Sequence, residues 1–275
     1  MRTAMMHRTL VTLGVAGLAA CGDSTGGGST GTVTVRLTDA PIDKVQSATV
    51  WISKVYLLGS ANDDASRLTI SDQKFEYNLL SLQNGVTAAL GSADIPIGTY
   101  TQLRLVVDSA KIVLKAPLTF ADGTSQRTLF VPSGEQSGLK VNFASPVQVT
   151  AGETVLVADF DVSRSFLLTG QAAAPNGATF KPVIHATVQN VAASIAGTVT
   201  PASAKAGLAA VNAATGDTVA TTLADAVTGA YRLRFLSPGT YNVLAKGTAD
   251  GSMFSATKSN VVVGASQDLT GVNLP

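Results

Sequence analysis

Apolar and polar residues alternate along most of this chain. The segment TVTVRLTD, residues 32–39, places Val33, Val35 and Leu37 on one side and Thr34 and Arg36 on the other. That period of two is what a half-buried strand requires. ATVWISKVYLL, TYTQLRLVVD, AKIVLKAPLTF, QRTLFV, LKVNFASPVQV, TVLVADFDV and KPVIHATV continue the series. Turn signals punctuate it at Asn84-Gly85, Ile97-Gly98, Asp122-Gly123, Ser133-Gly134, Ala151-Gly152 and Asn176-Gly177. Only FEYNLLSLQNGVTAAL, around residues 75–90, has room for a short helix. Short, evenly spaced strands of this kind predict an all-β sandwich or barrel rather than βαβ units.

A second series begins near Ala193, with SIAGTVT, GLAAVNAATG, DTVATTLAD, AYRLRFL, TYNVLAKGT, FSATKSNVVV and DLTGVNL. In GAYRLRFLSPGTYNVLA, Tyr231, Leu233 and Phe235 alternate inward before the Ser237-Pro238-Gly239 turn, and Tyr241, Val243 and Ala245 point inward on the return. That hairpin has one apolar face and seeds a small sandwich. The pattern therefore predicts two β-sandwich domains, at residues 32–190 and 193–275. Gly98-Thr99-Tyr100 and Gly239-Thr240-Tyr241 echo each other, too briefly to establish a repeat.

The alternation does not start until residue 32. Before it come Arg2, His7 and Arg8, then the uncharged run TLVTLGVAGLAA, residues 9–20. This run is shorter than the roughly 20 residues a bilayer span needs and fits the apolar core of an export signal. It ends in Leu18-Ala19-Ala20-Cys21, which resembles a bacterial lipobox. The resemblance implies a signal peptide over residues 1–20, cleavage before Cys21, and a diacylglyceryl thioether on that thiol, with palmitate-type chains anchoring the protein to membrane lipid. One acyl chain holds a protein only marginally, at about 0.8 kcal/mol per buried CH₂, so the two or three chains of a lipoprotein are needed for stable attachment. Residues 21–31, the lipidated Cys21 followed by GDSTGGGSTG, make a flexible Gly/Ser tether reaching roughly 15–20 Å. Gly22, rather than an aspartate, follows the cysteine, which by the same resemblance favours the outer membrane of the cell envelope.

Cleavage removes Arg2, Arg8 and His7, leaving 17 basic residues of the original 19 against 18 acidic ones, one histidine and no free thiol. Such a balance carries no electrostatic footprint for nucleic acid, and the sequence holds no phosphate loop, zinc spacing or dinucleotide fingerprint. No cofactor is expected.

Two family resemblances add to this reading. Residues 31–190 resemble the bacterial domain of unknown function 4382 family, through GTVTVRLTDAPID, IPIGTYTQLRLVV, ADFDVSRSF and FKPVIHATV in that order. The family is common among exported lipoproteins and has no established activity. Residues 193–275 resemble the carboxypeptidase-regulatory β-sandwich, similar to starch-binding-like and prealbumin-like domains, through IAGTV and GAYRLRFLSPGTYNVLAKG.

Candidate chemistry is sparse. His185 is the mature chain's only imidazole, and a triad would need it to meet Ser163 and Asp159 or Asp161. A hydrogen-bonded sheet histidine is the favoured reading. Asp159 and Asp161 alternate on one face of LVADFDVS, roughly 7 Å apart at about 3.3 Å per residue. Such a pair serves a glycosidase, or a hard cation such as Ca²⁺ if Asp39 and Asp43 of LTDAPID approach. A solvated strand face is the favoured reading here. Asp39 also suits an Asx-type turn before Pro41. Trp51 lies off any clean apolar register and is a candidate for an exposed aromatic that stacks on a sugar, although with 5% aromatic residues no strong carbohydrate platform is evident. The whole predicts a membrane-anchored envelope lipoprotein acting as a non-catalytic binding or structural module, with a glycan or envelope protein as partner. Carbohydrate binding through residues 193–275 and glycoside hydrolysis by Asp159 and Asp161 are the alternatives.

Overall fold

A computed structural model describes residues 29–40, 44–59, 67–131 and 138–275. Cys21, the signal segment, most of the tether and Asp43 lie outside the described residues, as does Ser133-Gly134. The fold is all-β. The first twelve strands are β1 (Thr30–Ala40), β2 (Val45–Gly59), β3 (Leu68–Ser71), β4 (Phe75–Asn78), β5 (Ala88–Pro96), β6 (Gly98–Leu114), β7 (Gln126–Leu129), β8 (Leu139–Val149), β9 (Glu153–Asp161), β10 (Phe166–Gln171), β11 (Ala174–Phe180) and β12 (Ile184–Val188). They form a β12-β9-β1-β5 sheet, a β3-β2-β6-β7 sheet with β4 on β2 and β8 on β6, and a β10-β11 ribbon. One apolar core fills the space they enclose.

The core is built from the predicted alternation. Val33, Val35 and Leu37 of β1 are fully buried, as are Leu156, Ala158 and Phe160 of β9. These two strands run parallel, from Thr32 opposite Glu153 to Ala40 opposite Asp161. Val157, on the other side of β9, is also fully buried, so β9 is covered on both faces, as a central parallel strand usually is.

Several expectations are corrected. The short helix allowed for in residues 75–90 is a single 3-10 turn and not an α-helix. The stretch Phe75–Asn78 pairs with β2, and only Leu79–Leu82 turns, as a 3-10 helix capped by the Asn78 carboxamide. TYTQLRLVVD and the AKIVL that opens AKIVLKAPLTF are one continuous strand, β6, which ends at Leu114. A bulge opposite Trp51 and Ile52 absorbs Asp108, whose carboxylate accepts the Ser53 hydroxyl at 2.6 Å. Asn176-Gly177 lies inside β11, with the turn at 172–173; the register slips opposite, at Thr169/Gly170, where Gly170 adopts φ 93°.

The chain passes from β12 through a 3-10 turn (Gln189–Val191) into β13 (Ala193–Thr198), β14 (Gly207–Asn212), β15 (Thr218–Leu223), β16 (Ala230–Leu236), β17 (Gly239–Ala249), β18 (Ser252–Val263) and β19 (Asp268–Leu269). These pair as β16-β13-β19 and β15-β14-β17-β18 around a second, smaller core. The hairpin expected of GAYRLRFLSPGTYNVLA does not form: β16 and β17 lie in different sheets, and their apolar faces meet across the core. Its centre is Ile195, Leu208, Leu233, Val243 and Ala245, all at most 1% exposed.

The two Gly-Thr-Tyr echoes do the same work in the two sandwiches. Each opens a long strand after a short turn that carries the chain from one sheet to another, and each tyrosine hydroxyl donates to the carbonyl four residues upstream: Tyr100 to Pro96 at 2.8 Å and Tyr241 to Ser237 at 2.6 Å. Both rings are buried, which raises both phenol pKa values.

Phe235 departs from the pattern. Between Ile195↔Leu233 and Ala193↔Leu236 the register slips, and Phe235 adopts φ 55°. The extra residue changes the phase of the strand. Leu236, at 1% exposure, takes the core position and the Phe235 ring turns out of the second core toward the first sandwich. A positive φ is costly for a bulky side chain.

Candidate functional site

The polar face of the β12-β9-β1 sheet does not meet water. Strand β15 lies across β1 and β9, and the contact is stitched by hydrogen bonds. Arg164 Nη1 donates to the Thr218 carbonyl at 2.9 Å, and the Thr187 and Ser237 hydroxyls meet at 3.2 Å. The solvated face expected around Asp159 is therefore an internal seam.

Asp159 sits in register between His185 on β12 and Thr38 on β1. With Asp39, Arg232, Arg234 and Phe235 it borders a cavity of about 20 Å³, which is room for roughly one water and none for a sugar ring. Burial, with the charge of Asp161 added, pushes the Asp159 carboxyl up to about 7.

Asp161 is buried and occupied. Its Oδ1 accepts the Ser163 hydroxyl at 2.6 Å and the Arg164 amide at 3.0 Å, capping the single helical turn α1 (Val162–Ser165). The aromatic trio Phe160, Phe166 and Phe180, with ring centroids 6.0 and 4.9 Å apart, anchors that turn from below. Asp39 Oδ1 accepts the Val162 amide at 3.2 Å, tying β1 to the same turn; the local turn expected of it falls on residues 41–43, outside the described residues. Asp39 and Asp161 thus spend carboxylate lone pairs on backbone N–H groups. Among the described residues no group of three or more His, Cys, Asp or Glu side chains gathers to hold a metal, so Asp39, Asp159 and Asp161 do not form the Ca²⁺ cluster considered above.

Ser163 gives its proton to Asp161 and not to an imidazole, so Ser163, His185 and the aspartates do not line up as a triad. His185 hydrogen-bonds the Thr218 backbone instead, while its Nε2 is buried without a partner. Burial, and then the charge of Arg164, holds its pKa below the usual value.

His185 opens onto a larger feature. A cleft of about 380 Å³ runs between the sandwiches, with Asn142 of β8 and Arg164 on one wall, Asn212 and Asp217 on the other, and Phe235 and Tyr241 at its end. A second depression of about 440 Å³ shares Phe143, Ala144, Ala186, Thr187 and Ser237 with it and extends it along β8 and β12. The cleft draws on both sandwiches. Of its walls, His185, Ser237 and the aromatic pair stood out in the sequence. Asn142, Asn212 and Asp217 did not, since each sits in an ordinary strand or turn context.

Trp51 is half-buried and borders a separate shallow depression with Lys74, Phe75, Asp108 and Thr128. Among the described residues no helix is long and apolar enough to cross a membrane.

The family model for a domain of unknown function, DUF4382, matches residues 30–182. No curated protein matches. Among solved structures, the Bacillus anthracis TIE protein is 12% identical, with 90% of this chain and 51% of that one aligned at a TM-score of 0.22; this chain thus spans about half its length. A putative cell adhesion protein from Bacteroides fragilis is 8% identical over 86% of this chain and 91% of that one, TM-score 0.20. A leucine-rich repeat protein from Bacteroides thetaiotaomicron is 10% identical over 90% and 26%, TM-score 0.19.

Proposed function

We propose, from the premise that this chain belongs to the DUF4382 family, that it is an envelope lipoprotein held on the outer membrane through acylated Cys21, acting as a non-catalytic binding module. The cleft between the sandwiches carries this reading. It is open, and a few polar side chains mounted on strands and short turns are set among apolar ones, which is the form of a recognition site. Its walls come from residues 142–187 and 212–241, so ligand recognition belongs to both sandwiches and not to residues 193–275 alone. The glycosidase alternative is weaker, because Asp161 is committed to capping α1 and Asp159 borders a space too small for a pyranose. The lipobox supports the anchor.

Two measurements test the proposal. Mass spectrometry of the mature N-terminus should show an acylated Cys21, and Cys21→Ser should leave the membrane fraction; an unmodified start elsewhere sinks the anchor. The full chain should also co-sediment with envelope material of its own cell, and Ala144→Trp, which plugs the groove from an exposed position, should abolish that. Retention unchanged by the plug would sink the cleft as the binding site.

A further inference from the structure

The cleft's ligand chemistry is written in the orientation of its amides. Arg104, 3% exposed on β6, can only donate, and its Nε donates to Gln102 Oε1 at 2.5 Å. That turns the Gln102 amide so that its Nε2 donates to Asn142 Oδ1 at 2.6 Å. With its oxygen held from behind, Asn142 presents its NH₂ to the cleft. Asn212 is fixed the same way: its Oδ1 accepts the Ala214 and Thr215 amides at 2.9 and 3.2 Å, leaving its NH₂ outward. Arg164 commits Nη1 to Thr218 and has further N–H groups for the cleft. Two oriented amides and a guanidinium, drawn from both walls, make the cleft rich in donors. Among them stands one carboxylate, Asp217, on the Asn212 side, with the hydroxyls of Thr187, Thr215 and Ser237 also in the lining.

Resting on the binding-module reading above, we infer that this cleft takes an acidic glycan, seating a uronate carboxylate against Arg164, Asn142 and Asn212 and a sugar hydroxyl against Asp217. A carboxylate accepts from all three donors, and a hydroxyl donates to Asp217. A bare polyphosphate offers Asp217 nothing but repulsion, and a neutral glucan leaves Arg164 without its charge partner. Phe143, Phe235 and Tyr241 supply apolar surface for ring faces, and the adjoining depression gives length for further units of a linear chain. Arg104 and Gln102 act as positioning residues, setting the Asn142 amide without touching the ligand.

The test is titration of the full chain in detergent with polygalacturonate, a neutral glucan of matched length, and poly-glutamate. Polygalacturonate should bind and the other two should not. Asn142→Asp, which still accepts from Gln102 but swaps a donor for an acceptor, should weaken binding at least about tenfold with unchanged melting. Gln102→Glu should weaken binding in the wild type, yet add nothing to Asn142→Asp; an additive loss would mean that Gln102 acts structurally. Equal binding of poly-glutamate would overturn the sugar assignment, and binding of the neutral glucan would overturn the carboxylate. If no polymer binds while envelope co-sedimentation persists and is lost in Ala144→Trp, the acidic-glycan inference fails and the binding-module reading stands. If co-sedimentation is absent too, both fail.

Discussion

Asp159 makes the seam between the sandwiches sensitive to pH, with a sign opposite to that of most carboxylates. Its carboxyl titrates at about 7 in the folded protein against an ordinary 3.8, chiefly because it is buried, with the Asp161 charge adding to the effect. Between those two values the native state holds a proton that the unfolded chain has shed. Stability therefore falls as pH rises through this window. The contribution is complete below about pH 4 and gone above about pH 7. At about 1.36 kcal/mol per unit, the difference sets a ceiling of about 4 kcal/mol, and solvent screening of this half-buried side chain lowers the figure to roughly half of that. Asp159→Asn fixes the neutral form. In parallel melts from pH 4 to 8, variant and wild type should coincide near pH 4 and diverge steadily, with the variant about 2–4 kcal/mol ahead at pH 8. That gap corresponds to roughly 5–10 °C in Tm for a chain of this size. A gap that does not change with pH, or a variant less stable than wild type at pH 8, would refute the burial argument. Comparison against the variant also subtracts the surface carboxylates Asp122, Asp225 and Asp268. Hydrogen bonds from Thr124, Thr228 and Ser194 respectively lead the causes that hold these below the usual range, so their contributions run the other way and fade on acidification.

Further outcomes follow from the two sandwiches. Tyr100→Phe and Tyr241→Phe should each cost about 1 kcal/mol in chemical denaturation, since each removes one buried hydroxyl-to-carbonyl bond; a loss at only one site would show that the two turns are not equivalent. At Phe235, glycine should be more stable than alanine by roughly 1 kcal/mol, the reverse of the usual order within a strand, because φ is 55° there. Alanine equal to or better than glycine in thermal melts would mean that the backbone relaxes without its ring.

Much of the fold was legible because alternation is a local property. Val33, Val35 and Leu37, or Tyr241, Val243 and Ala245, bury as their spacing dictates. Phase is where that reasoning broke. One inserted residue at Phe235 hands the core position to Leu236, and nothing in AYRLRFL marks the insertion. The strand break expected near Asp108 failed for the converse reason, since a bulge swallowed the polar residue and let β6 run on. The site was harder still. LVADFDVS reads as a solvated face because periodicity reports only that one side differs from the other, not what lies against it; here it is the second sandwich. The Asn142 donor depends on Gln102 and Arg104, about 40 residues earlier on a neighbouring strand, a dependence that no local pattern records.

The parallel partnership of β1 and β9 sets the order of assembly. Thr32 meets Glu153 across some 120 intervening residues, and contacts that distant form slowly because a long loop must close first. The leading strand of the described chain therefore has no parallel mate until β9 has been made. Truncation between β5 and residue 153 leaves β1 paired on its β5 side alone, with an open edge where β9 belongs, and a cut in the turn after β12 spares the first sandwich's completed sheets.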